Sequence, residues 1–211
     1  MFTLFARPGA GSAAIEAILA ECGAAFKVID VPKEADGSAP ASLLRLNPRG
    51  EVPTLMLADD SIMTESAAIA IYLADLYPQA NLAPTINGAQ RPRYLRWILY
   101  FATAVYMADL RMYYSERYST KPSHAAGIKA KAISDMELDF DIFAHDLGRG
   151  PFILGETLSA ADIYVAMLVS WAPDIPALFA RHPNIKAHYE LVAARPHVAT
   201  VWVRNGMPLA S

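Results

Sequence analysis

The hydrophobic pattern of this chain changes period once, and that change restricts the fold more than any other feature. Up to residue 77, short apolar runs alternate with segments of helical spacing; beyond residue 92 only helical spacing remains. Phe2 to Phe5 is a short apolar run that reads as a buried strand. Ile15, Ile18, Leu19 and Cys22 follow at helical spacing, and Gly23 is placed to cap that helix. Phe26 to Val31 reads as a second strand, and Ala41 to Leu46 as a short helix broken by Asn47-Pro48-Arg49-Gly50. Thr54 to Leu57, an Asp59-Asp60 turn and Ile62-Met63 read as a hairpin. A third helix begins near Ser66, with Ile69, Tyr72, Leu73 and Leu76 on one face. The order βαβαββα predicts a parallel first pair of strands joined by a right-handed crossover, and an antiparallel hairpin closing the sheet.

Residues 78–92 carry Pro78, Pro84, Gly88 and Pro92 without periodicity. They predict a linker between an α/β domain over 1–77 and an all-helical domain over 93–211. One long helix is expected from Arg93 to about Tyr118, carrying Tyr94, Trp97, Ile98, Phe101, Val105 and Leu110, with Lys121-Pro122-Ser123 to stop it. A second runs from about His124 to Leu147. Ser159 and Asp162 have the spacing of a helix cap and its reciprocal partner, and Leu158 and Ile163 that of a hydrophobic staple. The helix that follows, Ile163 to Trp171, is apolar nearly all round and should be the buried centre of the second domain.

Composition removes several function classes. The 211 residues carry a net charge of -3 and 54% apolar side chains, enough for real cores and without the basic face of a nucleic-acid binder. No apolar run reaches the roughly 20 residues of a membrane span. One cysteine and no secretory signal predict a cytoplasmic protein without disulfides. The five histidines lack metal-ligand spacing, so no metal is expected. Asp135, Glu137, Asp139 and Asp141 read as a solvated helix face. Gly148-Arg149-Gly150-Pro151 is a turn rather than a phosphate loop, since no strand precedes it.

Three segments, in order across both halves, carry a family resemblance: Asn47-Pro48-Arg49-Gly50-Glu51-Val52-Pro53-Thr54-Leu55, Thr64-Glu65-Ser66, and Gly155-Glu156-Thr157-Leu158-Ser159-Ala160-Ala161-Asp162. They resemble glutathione transferases, and the opening Arg7-Pro8-Gly9-Ala10-Gly11-Ser12 looks most like the bacterial beta class. The resemblance implies a thioredoxin-like N-terminal domain, an all-α C-terminal bundle, and glutathione as co-substrate held by Arg49, Glu51, Val52, Pro53, Glu65 and Ser66. The family places a cis bond before Pro53, which turns the Val52 backbone toward the cysteinyl part of glutathione as an added strand would. Glu65 would pair with the γ-glutamyl ammonium, and the helix start at Ser66 would receive its carboxylate. Both residues also suit a plain helix cap. The implied activity is addition of the glutathione thiolate to a small hydrophobic electrophile by a homodimer; the alternative is a glutathione-binding protein without turnover.

The nucleophile-activating groups of the family are missing. Gly11 stands where the beta class usually has a cysteine, and Phe5 where many classes carry a tyrosine. Cys22, on the apolar face of the first helix, reads as inert packing. Ser12 is a candidate hydrogen-bond donor to the thiolate, or only the cap of the first helix. Tyr106 stands about where beta-class relatives place a histidine and is a second candidate donor, or a core aromatic. Arg111, Tyr113, Tyr114 and Trp171 are expected along the cleft between the domains.

Overall fold

The computed structural model describes residues 1–210. Strand β1 (Phe2–Ala6) pairs in parallel with β2 (Phe26–Asp30), Phe2 opposite Phe26, and the helix between them is α1 (Ser12–Glu21). Gly23 ends that helix at φ 64°, the left-handed region open to a residue without Cβ. A short α2 (Ala41–Leu44) leads to β3 (Thr54–Met56) and β4 (Ile62–Met63). The sheet order is β2-β1-β3-β4, with β3 antiparallel to both neighbours. Helix α3 (Ser66–Leu76) completes the expected βαβαββα order. The element order of the α/β domain is therefore as the alternation predicts, strand ends aside, and its thioredoxin-like fold as the resemblance implies.

The long helix expected from Arg93 to Tyr118 is divided. It consists of α4 (Arg91–Tyr100), a π-helical segment at Phe101–Val105, and α5 (Tyr106–Tyr113), with a 3₁₀ turn at Ser115–Tyr118. Inside the π segment the Thr103 hydroxyl donates to the Leu99 carbonyl at 2.9 Å, loading the acceptor that an α-turn would offer to residue 103. A π segment adds a residue to the turn and so rotates everything after it by about 100° relative to an uninterrupted helix. The buried stripe accordingly runs Tyr94, Ile98, Phe101, Val105, Ala108 and Met112, and leaves out Leu110.

Helix α6 (Ala125–Leu147) matches expectation, and α7 (Ala160–Val169) is buried at every position. Asp162 accepts from the Ser159 N–H at 2.7 Å, closing the capping box. It also accepts from the Ser159 hydroxyl at 2.7 Å and the Ile153 N–H at 2.8 Å, and pairs with His188 Nε2 at 2.9 Å. Helices α8 (Ile175–Arg181), α9 (Pro183–Ala193) and α10 (Pro196–Asn205) complete the second domain. Helix α1 packs against α3, α7 and α10, so one continuous core joins the two halves. Glu16 of α1 is 5% exposed and is matched by Arg204 Nη1 at 2.8 Å. Among the described residues no helix is long and apolar enough to cross a membrane, and no group of acidic, His or Cys side chains could hold a metal ion. Three carboxylates of the acidic stretch on α6 have partners: Asp135 meets Arg111, Asp139 the Tyr100 hydroxyl, and Asp141 Arg181.

Candidate active site

The turn from β1 into α1 is held by Ser12. Its hydroxyl accepts from the Arg7 N–H and donates to the Arg7 carbonyl, both at 3.1 Å, and the residue has no exposed surface. Gly9, at φ 70°, ties the same turn to α10 by donating to Asn205 Oδ1 at 3.2 Å. Of the two readings of Ser12, a donor to the thiolate or a residue that only holds the start of the first helix, the structure favours the second: its one O–H is directed to the Arg7 carbonyl in the turn that the helix starts from. Cys22 is also removed from chemistry, 6% exposed and with burial pushing its thiol up to about 11.

Gly11 is met by the close approach of a side chain. Tyr106 lays its hydroxyl directly over it: a Cβ at Gly11 would overlap Tyr106 Oη and lie 3.1 Å from Cζ. The phenol occupies the space that a cysteine side chain here would need. Tyr106 is half-buried, and its hydroxyl makes no hydrogen bond among the described residues. Burial raises its pKa well above the ordinary phenol value, with Tyr164, Asp109 and Glu51 adding to the rise, so the group is a donor at any physiological pH. The π segment ends at the residue before Tyr106, and its extra residue sets the direction in which that side chain leaves the helix.

The second wall is built by Asn47. This buried amide donates to the Glu51 carbonyl at 3.0 Å and to Thr54 Oγ1 at 3.2 Å, and accepts from the Arg49 N–H at 3.1 Å. Thr54 Oγ1 in turn donates to the Glu51 carbonyl at 2.9 Å. The loop so fixed carries Val52 and a cis Val52-Pro53 bond, as the family resemblance implies. The Val52 N–H and C=O have no partner among the described residues. Arg49 and Glu51 pair with each other through two contacts of 2.9 Å on the exposed rim.

Glu65 is exposed and holds φ 65°, ψ 101°, an uncommon conformation for a residue with a side chain, which places it as the N-cap of α3. Ser66, the first residue of α3, is joined to the helical domain by a 2.7 Å hydrogen bond with the Tyr164 hydroxyl. Tyr164 belongs to α7 and is fully buried, and its ring meets Tyr106 edge-on with centroids 6.5 Å apart. Trp171, just beyond α7, packs on the other side of Tyr106 at 5.4 Å. The Tyr113 hydroxyl donates to the Trp171 carbonyl at 3.3 Å, and Lys33 lies 5.3 Å from the centroid of the Tyr114 ring. Tyr113, Trp171 and Tyr106 therefore form one contiguous aromatic group, and Tyr114 is met by Lys33. The Arg111 guanidinium turns to Asp135 on α6.

The sequence reading assigned no role to three residues that build this site. Asn47 appeared there as part of a helix breaker and as the first residue of a resemblance segment, with no work given to its side chain. Tyr164 stood in a helix read simply as apolar, although a buried tyrosine hydroxyl normally finds a partner and so signals one. Asp109 is 5% exposed, neither of its oxygens is hydrogen-bonded, and burial raises its pKa to about 7.

Comparison with known proteins agrees with this arrangement. Residues 12–76 match the family model for the N-terminal domain of glutathione S-transferases, and residues 108–202 the model for the C-terminal domain. The chain is 30% identical over 206 residues to the uncharacterized GST-like protein YncG of Escherichia coli, covering 97% of this chain and 98% of that one. It is 27% identical to glutathione S-transferase GstA of the same species, with the same coverage. Among solved structures, a glutathione transferase homologue from Sulfitobacter with bound glutathione superposes with a TM-score of 0.88 at 28% identity, covering 99% of both chains. A bacterial beta class glutathione S-transferase from Sphingomonas chungbukensis superposes with a TM-score of 0.81 at 27% identity, covering 98% of this chain and 100% of that one.

Proposed function

The chain belongs to the glutathione transferase family, and from that premise we propose that it binds glutathione and adds its thiolate to small apolar electrophiles, with Tyr106 in place of the missing cysteine. The observation that carries this reading is the phenol seated over Gly11 at the start of α1. A glutathione lying along Val52 meets two unpaired backbone groups, in the manner of an added strand. Its γ-glutamyl carboxylate then falls at the start of α3, where free N–H groups and the Ser66 hydroxyl donate, and its ammonium meets Glu65. Arg49 and Glu51 border this groove. The Ser66–Tyr164 bond couples the ligand-binding helix start to the helical domain, so both halves define one cleft. Tyr106, Tyr113 and Trp171 supply an aromatic wall for the second substrate.

Glutathione's thiol has an ordinary pKa of ~8.5, by analogy with cysteine. A hydrogen bond from a neutral donor to a thiolate is worth about 1.5–3 kcal/mol and raises the thiol's acidity by about ten- to a hundredfold. Tyr106 provides that donor and, because its own pKa is raised, does not compete as a base. The ultraviolet thiolate band of the glutathione complex, titrated against pH, tests the assignment. Tyr106→Phe shifts the curve up by one to two pH units and lowers conjugation near pH 7 by tenfold or more, while Ser12→Ala leaves the curve in place. The opposite pattern would return the role to Ser12. Calorimetry on Glu65→Ala tests the binding half, with a loss of about 2–3 kcal/mol expected for a charged partner. A wild type that binds glutathione without a thiolate band below pH 8 supports the non-catalytic binding protein instead.

The homodimer and the cytoplasmic setting belong to the same proposal. Leu76 on α3 and Leu99 on α4 are 47% and 49% exposed, apolar surface that a second copy would cover. The single buried cysteine suits a reducing compartment. Light scattering at micromolar concentration should give about twice the chain mass of 22.9 kDa; the mass of one chain would refute the dimer.

A further inference from the structure

A thiolate forms only if its proton has somewhere to go, and Tyr106, already protonated, cannot take it. Asp109 lies one turn further along α5, on the face between Tyr106 and Tyr113. Both flanking tyrosines meet Trp171, one through its ring and one through its hydroxyl, so the face that carries Asp109 turns to the aromatic wall of the cleft. The carboxyl is 95% buried by exposure of 5%, and Oδ1 is fully enclosed without a partner. Unpaired buried carboxyls are costly and uncommon, and each asks for an explanation.

The charged groups around α5 do not supply one. Arg111 is paired with Asp135 of α6, which also takes Lys131. Asp139 of α6 accepts from the Tyr100 hydroxyl. Lys33, from the loop after β2, and Arg117, from the 3₁₀ turn, lie over the Tyr114 ring. Glu51, across the cleft, is held by Arg49. None forms an ion pair or hydrogen bond with Asp109.

We propose that Asp109 accepts the proton of the glutathione thiol through a bridging water while Tyr106 holds the thiolate. The S–H bond breaks, the sulfur keeps the electron pair, and an O–H bond forms on the carboxylate, so the site's net charge does not change. When the thiolate adds to an activated double bond, the proton returns to the carbon that gains the electron pair. When it displaces a leaving group, that group departs with the electron pair of the broken bond and the proton goes to solvent. A carboxyl that burial holds near neutrality is matched to this exchange.

The inference rests on the glutathione reading above, and the experiment separates the two. Glutathione is titrated into the wild type and Asp109→Asn at pH 7.5 by calorimetry, in two buffers of different ionisation enthalpy. The thiolate band is recorded in parallel, to give protons released per thiolate formed. The expected values are near zero for the wild type and near one for Asp109→Asn. One proton released per thiolate in the wild type overturns the role of Asp109 even if the variant does not fold. If the variant does not fold, Asp109→Leu repeats the comparison. Absence of any glutathione heat in the wild type overturns the binding reading as well; binding without a thiolate band overturns this inference together with the thiolate-addition reading and leaves glutathione binding standing; a thiolate band with one proton released per thiolate overturns this inference alone.

Discussion

Asp162→Ala is expected to destabilise the protein by about 3–5 kcal/mol, out of the roughly 5–15 kcal/mol typical of a folded domain. The carboxylate is fully buried and serves four partners: the Ile153 and Ser159 N–H groups, the Ser159 hydroxyl and His188 Nε2. Alanine leaves the two backbone donors enclosed and unpaired, and His188 loses its carboxylate partner while its Nδ1 already has none. A single exposed cap would cost only about 1 kcal/mol, so the burial of the network accounts for most of the effect. The urea midpoint should fall accordingly, and the melting temperature by on the order of 10 °C. Asp162→Asn, which keeps an acceptor but loses the charge, should fall between. A loss under 1 kcal/mol in Asp162→Ala would mean that the network is not holding the start of α7. The consequence reaches the cleft, because α7 carries Tyr164 to Ser66 and ends beside Trp171.

The second large effect is pH-dependent. Burial raises the Asp109 carboxyl from the ordinary 3.8 to about 7 in the folded chain. Between those values the native state binds more proton than the unfolded state, so stability falls as pH rises through the window and levels off above the folded value. A difference of about three pH units corresponds to about 4 kcal/mol. The stability of Asp109→Asn relative to the wild type should therefore improve by about that amount between pH 4 and pH 8, with most of the change complete by pH 7. Chemical denaturation of both proteins across that range measures it. A difference that is flat with pH would mean that Asp109 titrates as an exposed carboxylate. This experiment needs no glutathione, so its result stands apart from the assignment of activity.

The outline of this site was readable in the residues because its parts are local. The turn-breaking Asn47-Pro48-Arg49-Gly50 and the helix start at Glu65-Ser66 announce loops and caps within a few positions, and the structure has a loop after α2 and the start of α3 there. The Ser159/Asp162 spacing likewise announced the start of α7. Side-chain directions were less readable. Ser12, Arg111 and Leu110 were read by their positions along a helix, but the direction of a side chain depends on what surrounds it. Ser12 turned back to Arg7, Arg111 found Asp135, and Leu110 was rotated out of the core stripe.

What the sequence determined by itself is the order of elements, because period-2 and period-3.6 burial are imposed by backbone geometry and need no knowledge of the partner surface. It also places a glycine, Gly11, immediately before the first residue of α1. What only the tertiary structure decided is which side chain lies over Gly11. A π segment at Phe101–Val105 sets the phase of α5, and with it which side chain reaches Gly11 and which carboxyl is left unpaired beneath the cleft. No local pattern encodes that phase: one residue more or less in a helical turn costs little locally, while it redirects every later side chain by about 100°.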